Sequence, residues 1–186
     1  TGIAAGIVHA GELYVGANSS AGELGHVTIL PDGPLCRCGN RGCLQQLVSE
    51  PAIADRARAR MREESNTLLH SLAGHYPERV TAEMVFQAAA QQDGLAGTIV
   101  AETAVYLGIA IANLVNLFNP ELIILGGPMG QISQVLLDPL LEEVRRRAMA
   151  YPFSATKIVN STLGFDAGAI GAAVLVLQHA SELIFA

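Results

Sequence analysis

The chain has 186 residues, 51% of them hydrophobic and only 15% charged, a balance that excludes a disordered segment and supports one sizeable buried core. Its formal net charge of −6 excludes a nucleic-acid-binding footprint spread over this chain. Nothing in the residues reads as an export signal, so the expected setting is a reducing cytoplasm.

In chain order, "GIAAGIVHAGELYVGAN" alternates small and apolar residues around His9–Ala10–Gly11–Glu12 and predicts a β-hairpin. A strand is expected over Val27 to Leu30, followed by a turn at Pro31–Asp32–Gly33–Pro34. From Pro51 the pattern becomes helical: Pro51 to Met61, Thr67 to Ala73, then Ala82 to Gln91 behind Thr81 as N-cap. A long helix is expected from Gly94 to Phe118, with Asp93 at its start and Asn119–Pro120 as its stop.

"ELIILGGP" then reads as a short buried parallel strand. A helix over Ser133 to Ala148, a strand over Thr156 to Ser161 and a helix over Ala167 to His179 complete a layered α/β pattern. The most apolar stretch, Thr103 to Phe118, is interrupted by Asn113 and Asn116. It is shorter than the roughly 20 residues of a bilayer span, so a buried helix and no membrane contact are expected. The start at Thr1, without an initiator Met, is what a piece of a longer protein would show.

All three cysteines fall in "CRCGNRGCLQQ": Cys36, Cys38 and Cys43. An odd count in a reducing setting argues against a disulfide framework, and core packing alone does not call for C-x-C-x4-C spacing. Zinc does call for four such ligands, and a closed Cys3His set is structural, with no open position for catalysis. Gly39 and Gly42 let the backbone fold back between ligands, and Arg37 and Arg41 can offset the thiolate charge. His26, ten residues before Cys36, is the nearest candidate for the fourth ligand; His9, His70, His75 and His179 are the others.

"AGELGHVTILPDGPLCRCGNRGCLQQ" resembles the signature of the ROK family of sugar kinases and sugar-responsive repressors. The family pattern is E-x-G-H followed by C-x-C-G-x-x-G-C-x-E. Glu23–Leu24–Gly25–His26 match its first part, and Cys36, Cys38, Gly39, Gly42 and Cys43 its second. The opening hairpin resembles the family's second phosphate loop, "NPELIILGGP" the glycine turn facing adenosine in the kinases, and "DAGAIGAAVL" the closing helix.

The resemblance implies the C-terminal lobe of an actin-like (ribonuclease H-like) sugar-kinase fold spanning residues 1–186, with an inserted zinc loop over about 26–45. It implies His26, Cys36, Cys38 and Cys43 as zinc ligands, and Glu23 and His26 as sugar contacts. The family's second sugar-binding glutamate is replaced here by Gln45, which keeps the reach but loses the charge. Gly2, Gly126 and Gly127 would be the nucleotide-facing positions, although Gly126–Gly127 reads equally as a simple strand end.

No aspartate of this chain stands where the kinases keep their catalytic base, so no catalytic residue is assigned. The expected function is therefore the sugar-sensing and oligomerising part of a transcriptional regulator. It would bind a sugar or sugar-phosphate effector and form a homodimer or larger homo-oligomer, with DNA contacted only by a segment outside this chain. The alternative is the C-terminal lobe of an ATP- and magnesium-dependent hexose kinase, whose base and first phosphate loop would also lie outside it. A third reading is a structural zinc module without a sugar site.

Overall fold

A computed structural model describes residues 2–126 and 134–184. The predicted hairpin is present as β1 (Val8–His9) and β2 (Glu12–Leu13), paired antiparallel. Ala10 and Gly11 close it at φ 52° and 84°, the two positive values that a tight hairpin turn requires.

Leu24–His26 then form a single 3-10 turn, so no strand opens at His26. Nor is there a strand over 27–30, where Thr28 and Cys43 make only an isolated bridge. The chain doubles back too tightly for a ladder: the N–H groups of Ile29 and Leu30 both reach the Gly42 carbonyl (2.9 and 3.2 Å). Pro31 and Pro34 have no N–H with which to extend it.

The helices follow: α1 (Gln45–Val48), which the sequence pattern did not reveal, then α2 (Glu50–Arg60), α3 (Leu69–Leu72), α4 (Ala82–Ala90) and α5 (Gly94–Phe118). Ser49, Thr81 and Asp93 cap α2, α4 and α5 by accepting from Ala52 N, Met84 N and Ala96 N. Asn119, left-handed at φ 44°, ends α5 ahead of Pro120.

β3 (Leu122–Leu125) leads to α6 (Gln134–Arg147), α7 (Ala150–Ala155), β4 (Lys157–Asn160) and α8 (Ala167–Ile184). β3 and β4 pair in parallel, Leu122 opposite Lys157 through Leu125 opposite Asn160, with α6 and α7 between them in the chain. The expected β-helix-β alternation is present, although each sheet holds only two strands among the described residues. The last helix runs five residues beyond the predicted His179.

α5 is the axis of the core. Ala96, Ile99, Val100, Ala104, Ile111 and Val115 recur at helical spacing and are buried against Ile53 and Ala57 of α2, Val85 and Ala88 of α4, and Leu136, Leu140 and Val144 of α6. Each fully buried Leu, Ile or Val of this set contributes about 1.5–3 kcal/mol of transfer free energy.

The expectation that no segment is long and apolar enough to span a bilayer needs correction. α5 meets that test by length and composition, and 56% of its most apolar window is buried inside this fold. Asn116, one of the supposed interruptions, sits at its exposed C-terminal end and accepts from Met149 N at 2.8 Å.

Asp93 ties α3 to α5. Besides capping Ala96, its carboxylate accepts from Leu68 N (2.7 Å) and Thr67 Oγ1 (3.1 Å) while itself buried. Asp93→Ala leaves these donors without their acceptor and is expected to cost about 2–4 kcal/mol. Asp93→Asn, which keeps one acceptor oxygen, should lose roughly half as much in equilibrium urea unfolding.

Candidate metal centre and the adjoining cleft

The loop from His26 to Gln45 is folded by its backbone. Cys36 N donates to Asn40 O (2.7 Å) and Gly39 N to Cys36 O (2.9 Å), forming a tight turn that brings Cys36 and Cys38 together. Gly42 N donates to Pro34 O and Leu44 N to Val27 O, which lays Cys43 alongside His26. Gly39 and Gly42 occupy the left-handed region at φ 94° and 62°. A Cβ on Gly39 would meet nothing, whereas one on Gly42 would fall inside the Leu30 carbonyl oxygen.

These constraints bring His26, Cys36, Cys38 and Cys43 together with one donor atom each, all within 4.8 Å of one another. His26 Nδ1 lies 3.7 Å from Cys36 Sγ, and Cys38 Sγ lies 3.6 Å from Cys43 Sγ. A tetrahedron with metal–sulfur bonds of about 2.3 Å has edges of about 3.8 Å, so the donor set fits a zinc-sized ion. Nδ1 faces the thiols, while Nε2 is turned to Glu23 Oε2 at 3.8 Å, the arrangement of a ligating imidazole backed by a carboxylate.

His9, His70 and His75 stand outside the cluster, and the His179 side chain lies outside the described residues. Arg41 donates to the Gly33 carbonyl instead of approaching the thiols.

The thiols are not equivalent. The Cys38 backbone N–H holds the Cys36 thiol down at about 6, with burial opposing and the Gln45 side chain assisting. Burial pushes the Cys43 thiol up to about 12, and its two sulfur neighbours push in the same direction. A negative charge is therefore favoured on Cys36 and opposed on Cys43, and a divalent cation would supply the charge that lets Cys43 ionise as well.

Beside the cluster lies a cleft of about 630 Å³, lined among others by Gly2, Arg37, Gln45, Gln46, Arg56 and Tyr106. Arg56 is half-clamped in its wall: Nη1 donates to Leu47 O (3.0 Å), Nη2 to Thr103 Oγ1 (2.7 Å), and Nε faces Glu102 Oε2 at 3.7 Å. Burial draws its guanidinium below the ordinary value, with Glu102 opposing. Arg60 binds both oxygens of the same Glu102 (2.8 and 2.9 Å).

Glu23 and His26 do not line this cleft; Gln45 touches both regions, its Nε2 lying 3.3 Å from Cys36 Sγ. Gly2 sits against Gln45 Oε1, where a Cβ would come within 3.3 Å. Gly126 follows β3, where a Cβ would make ordinary contact with the Ser161 side chain at 3.8 Å, and Gly127 lies outside the described residues.

Sequence reasoning missed Gln46 and the Arg56–Glu102–Arg60 group. The i,i+4 spacing of the two arginines on α2 was available as a signal, but their shared carboxylate comes from α5, 42 residues from Arg60.

The architecture is that of sugar-kinase-like proteins. It superposes with a TM-score of 0.86 on a glucokinase from Streptomyces griseus, a structure in complex with glucose and AMPPNP. The match is 31% identical and covers 96% of this chain and 58% of that one. The chain is a member of the ROK family, whose model matches residues 1–179.

Relatives include the glucokinase of Thermotoga maritima, 38% identical over 96% of this chain and 56% of that protein. They also include the DNA-binding transcriptional repressor Mlc of Escherichia coli, 31% identical over 94% of this chain and 41% of the repressor. The chain thus spans about half the length of the curated relatives it matches.

The two loop glycines separate strain from collision. Gly39→Ala should cost only the left-handed backbone penalty, about 1–2 kcal/mol. Gly42→Ala must also displace Leu30 and is expected to cost more than about 3 kcal/mol. Thermal unfolding of the two variants side by side checks the order.

Proposed function

We propose that this chain is the sugar-binding and oligomerising C-terminal lobe of a ROK-type transcriptional regulator, with its 26–45 loop braced by a structural zinc ion. The observation that carries the reading is the convergence of His26, Cys36, Cys38 and Cys43 immediately beside Glu23 and Gln45. His26 Nδ1 and the three thiolates would hold the zinc, whose bound charge cross-links a loop otherwise maintained by turns and isolated bridges.

Glu23 accepts hydrogen bonds from sugar hydroxyls, and the His26 ring, held through Nδ1, presents Nε2 beside that carboxylate. Gln45 offers a neutral acceptor where the family pattern has glutamate. That substitution favours an effector site over a turnover site. Bound sugar would shift the equilibrium between two arrangements of the oligomer by binding one of them more tightly. A segment outside this chain would contact DNA.

The second reading, the C-terminal lobe of a hexose kinase, is favoured by the 38% identity to a glucokinase. In that case ATP and magnesium would lie against Gly2, Gly126 and Gly127, with the catalytic base supplied from outside this chain.

Two measurements on the full-length protein test the proposal. Elemental analysis should find one zinc per chain, and its removal by a chelator should lower the melting temperature and abolish any sugar-induced shift. Among D-glucose, D-xylose and N-acetyl-D-glucosamine, at least one should stabilise the zinc-loaded protein. Glu23→Gln should weaken that sugar about ten- to a hundred-fold, the loss of one charge-assisted hydrogen bond. Release of ADP when ATP is added with the stabilising sugar would transfer the assignment to the kinase.

A further inference from the structure

The two glutamines after the last cysteine both point their amides at one sulfur. Gln45 Nε2 lies 3.3 Å from Cys36 Sγ, and Gln46 Nε2 lies 3.7 Å from the same atom. Consecutive helical residues do not share a face, so this convergence requires Cys36 to sit over the start of α1. α1 is fixed there by Leu44, Leu47 and Val48, which are buried with Ala110 of α5.

Cys36 is singled out by this arrangement. Cys43 donates toward the His26 carbonyl at 3.6 Å, and Cys38 lies against Cys43. The Gln45 amide has a defined orientation. Its nitrogen faces Cys36 and its oxygen faces Gly2, and the reverse would set two electron-rich atoms against each other.

We propose that Gln45 and Gln46 are positioning residues of the metal centre, an amide clamp that donates two N–H···S bonds to the Cys36 thiolate and turns the Gln45 oxygen toward Gly2 at the cleft wall. The proposal rests on the zinc reading above and assigns it a second layer that this sequence builds from amides. A glutamate at position 45 cannot serve in the same way, since its ionised carboxylate has no donor to offer a thiolate. Partners of metal ligands typically govern affinity ten- to a hundred-fold.

The test uses the full-length protein loaded with zinc and, in parallel, with cobalt(II) as a spectroscopic probe. Zinc affinity is measured by competition with a chromogenic chelator for the wild type, Gln45→Glu, and the double variant Gln45→Leu/Gln46→Leu. Both variants should bind zinc about ten- to a hundred-fold more weakly. Their thiolate-to-cobalt charge-transfer band should move to longer wavelength, because a sulfur without N–H donors gives up its electrons more readily.

Gln45→Glu restores the residue of the family pattern, so it keeps the experiment decisive if the double variant does not fold. Wild-type affinity and an unshifted band in Gln45→Glu would overturn the clamp while leaving the metal centre intact. A wild-type protein that binds neither zinc nor cobalt would overturn both.

Discussion

The folded part of the chain between residues 26 and 45 has almost no regular secondary structure, yet it must hold four donor atoms within 4.8 Å of one another. Backbone turns bring them there, but three sulfurs and an imidazole at that separation repel as soon as more than one sulfur ionises. The Cys36 thiol is held at about 6 chiefly by the Cys38 backbone N–H, and the Cys43 thiol is pushed up to about 12 chiefly by burial, with the neighbouring sulfurs adding to it. A divalent cation at the centre would convert the repulsion into attraction, adding a charge-based cross-link to a loop whose Ile29 and Leu44, with Leu24 just before it, already pack in one apolar cluster. His26 and Glu23, whose carboxylate is exposed, are themselves held by backbone bonds of the 24–26 turn.

The helical layer provides the fixed frame. Gln45 belongs at once to the metal loop and to the first turn of α1, and α1 is seated by Leu44, Leu47 and Val48 against α5. Arg56 reinforces the same junction, reaching from α2 to the Leu47 carbonyl and to Thr103 of α5. The metal centre, the cleft and the core axis are thus joined through a helix of four residues. Gln45 touches the cleft and Cys36 at once.

Much of this could be read before any coordinates. The α4 and α5 helices were legible because Thr81, Asp93 and Asn119 act within a few residues of the ends they mark. The clustering of the cysteines was legible because packing alone rarely gathers three of them within eight residues, whereas a thiophilic metal would call for it. The expected strand over 27–30 was not formed, since its apolar pattern could not reveal that Gly42 would take both amides of the Ile29–Leu30 pair. The membrane test on α5 went astray for a related reason: asparagines in the sequence looked like interruptions, while in space Asn116 lies on the exposed last turn and accepts from Met149 N. The arginine–glutamate group and the amide clamp depend on tertiary contacts across α1, α2 and α5, which periodicity does not encode.

α5 carries a consequence for how the polypeptide is made. A helix of 25 residues with this apolarity must be covered soon after it leaves the ribosome, or chaperones and membranes will compete for it. Chain order supplies half of the answer, because α2 and α4 are synthesised first and can receive one flank as it emerges. The other flank waits for Leu136, Leu140 and Val144 of α6, beyond β3. During that interval the nascent chain presents an apolar ridge, which makes the pace of synthesis through the β3–α6 segment a determinant of yield.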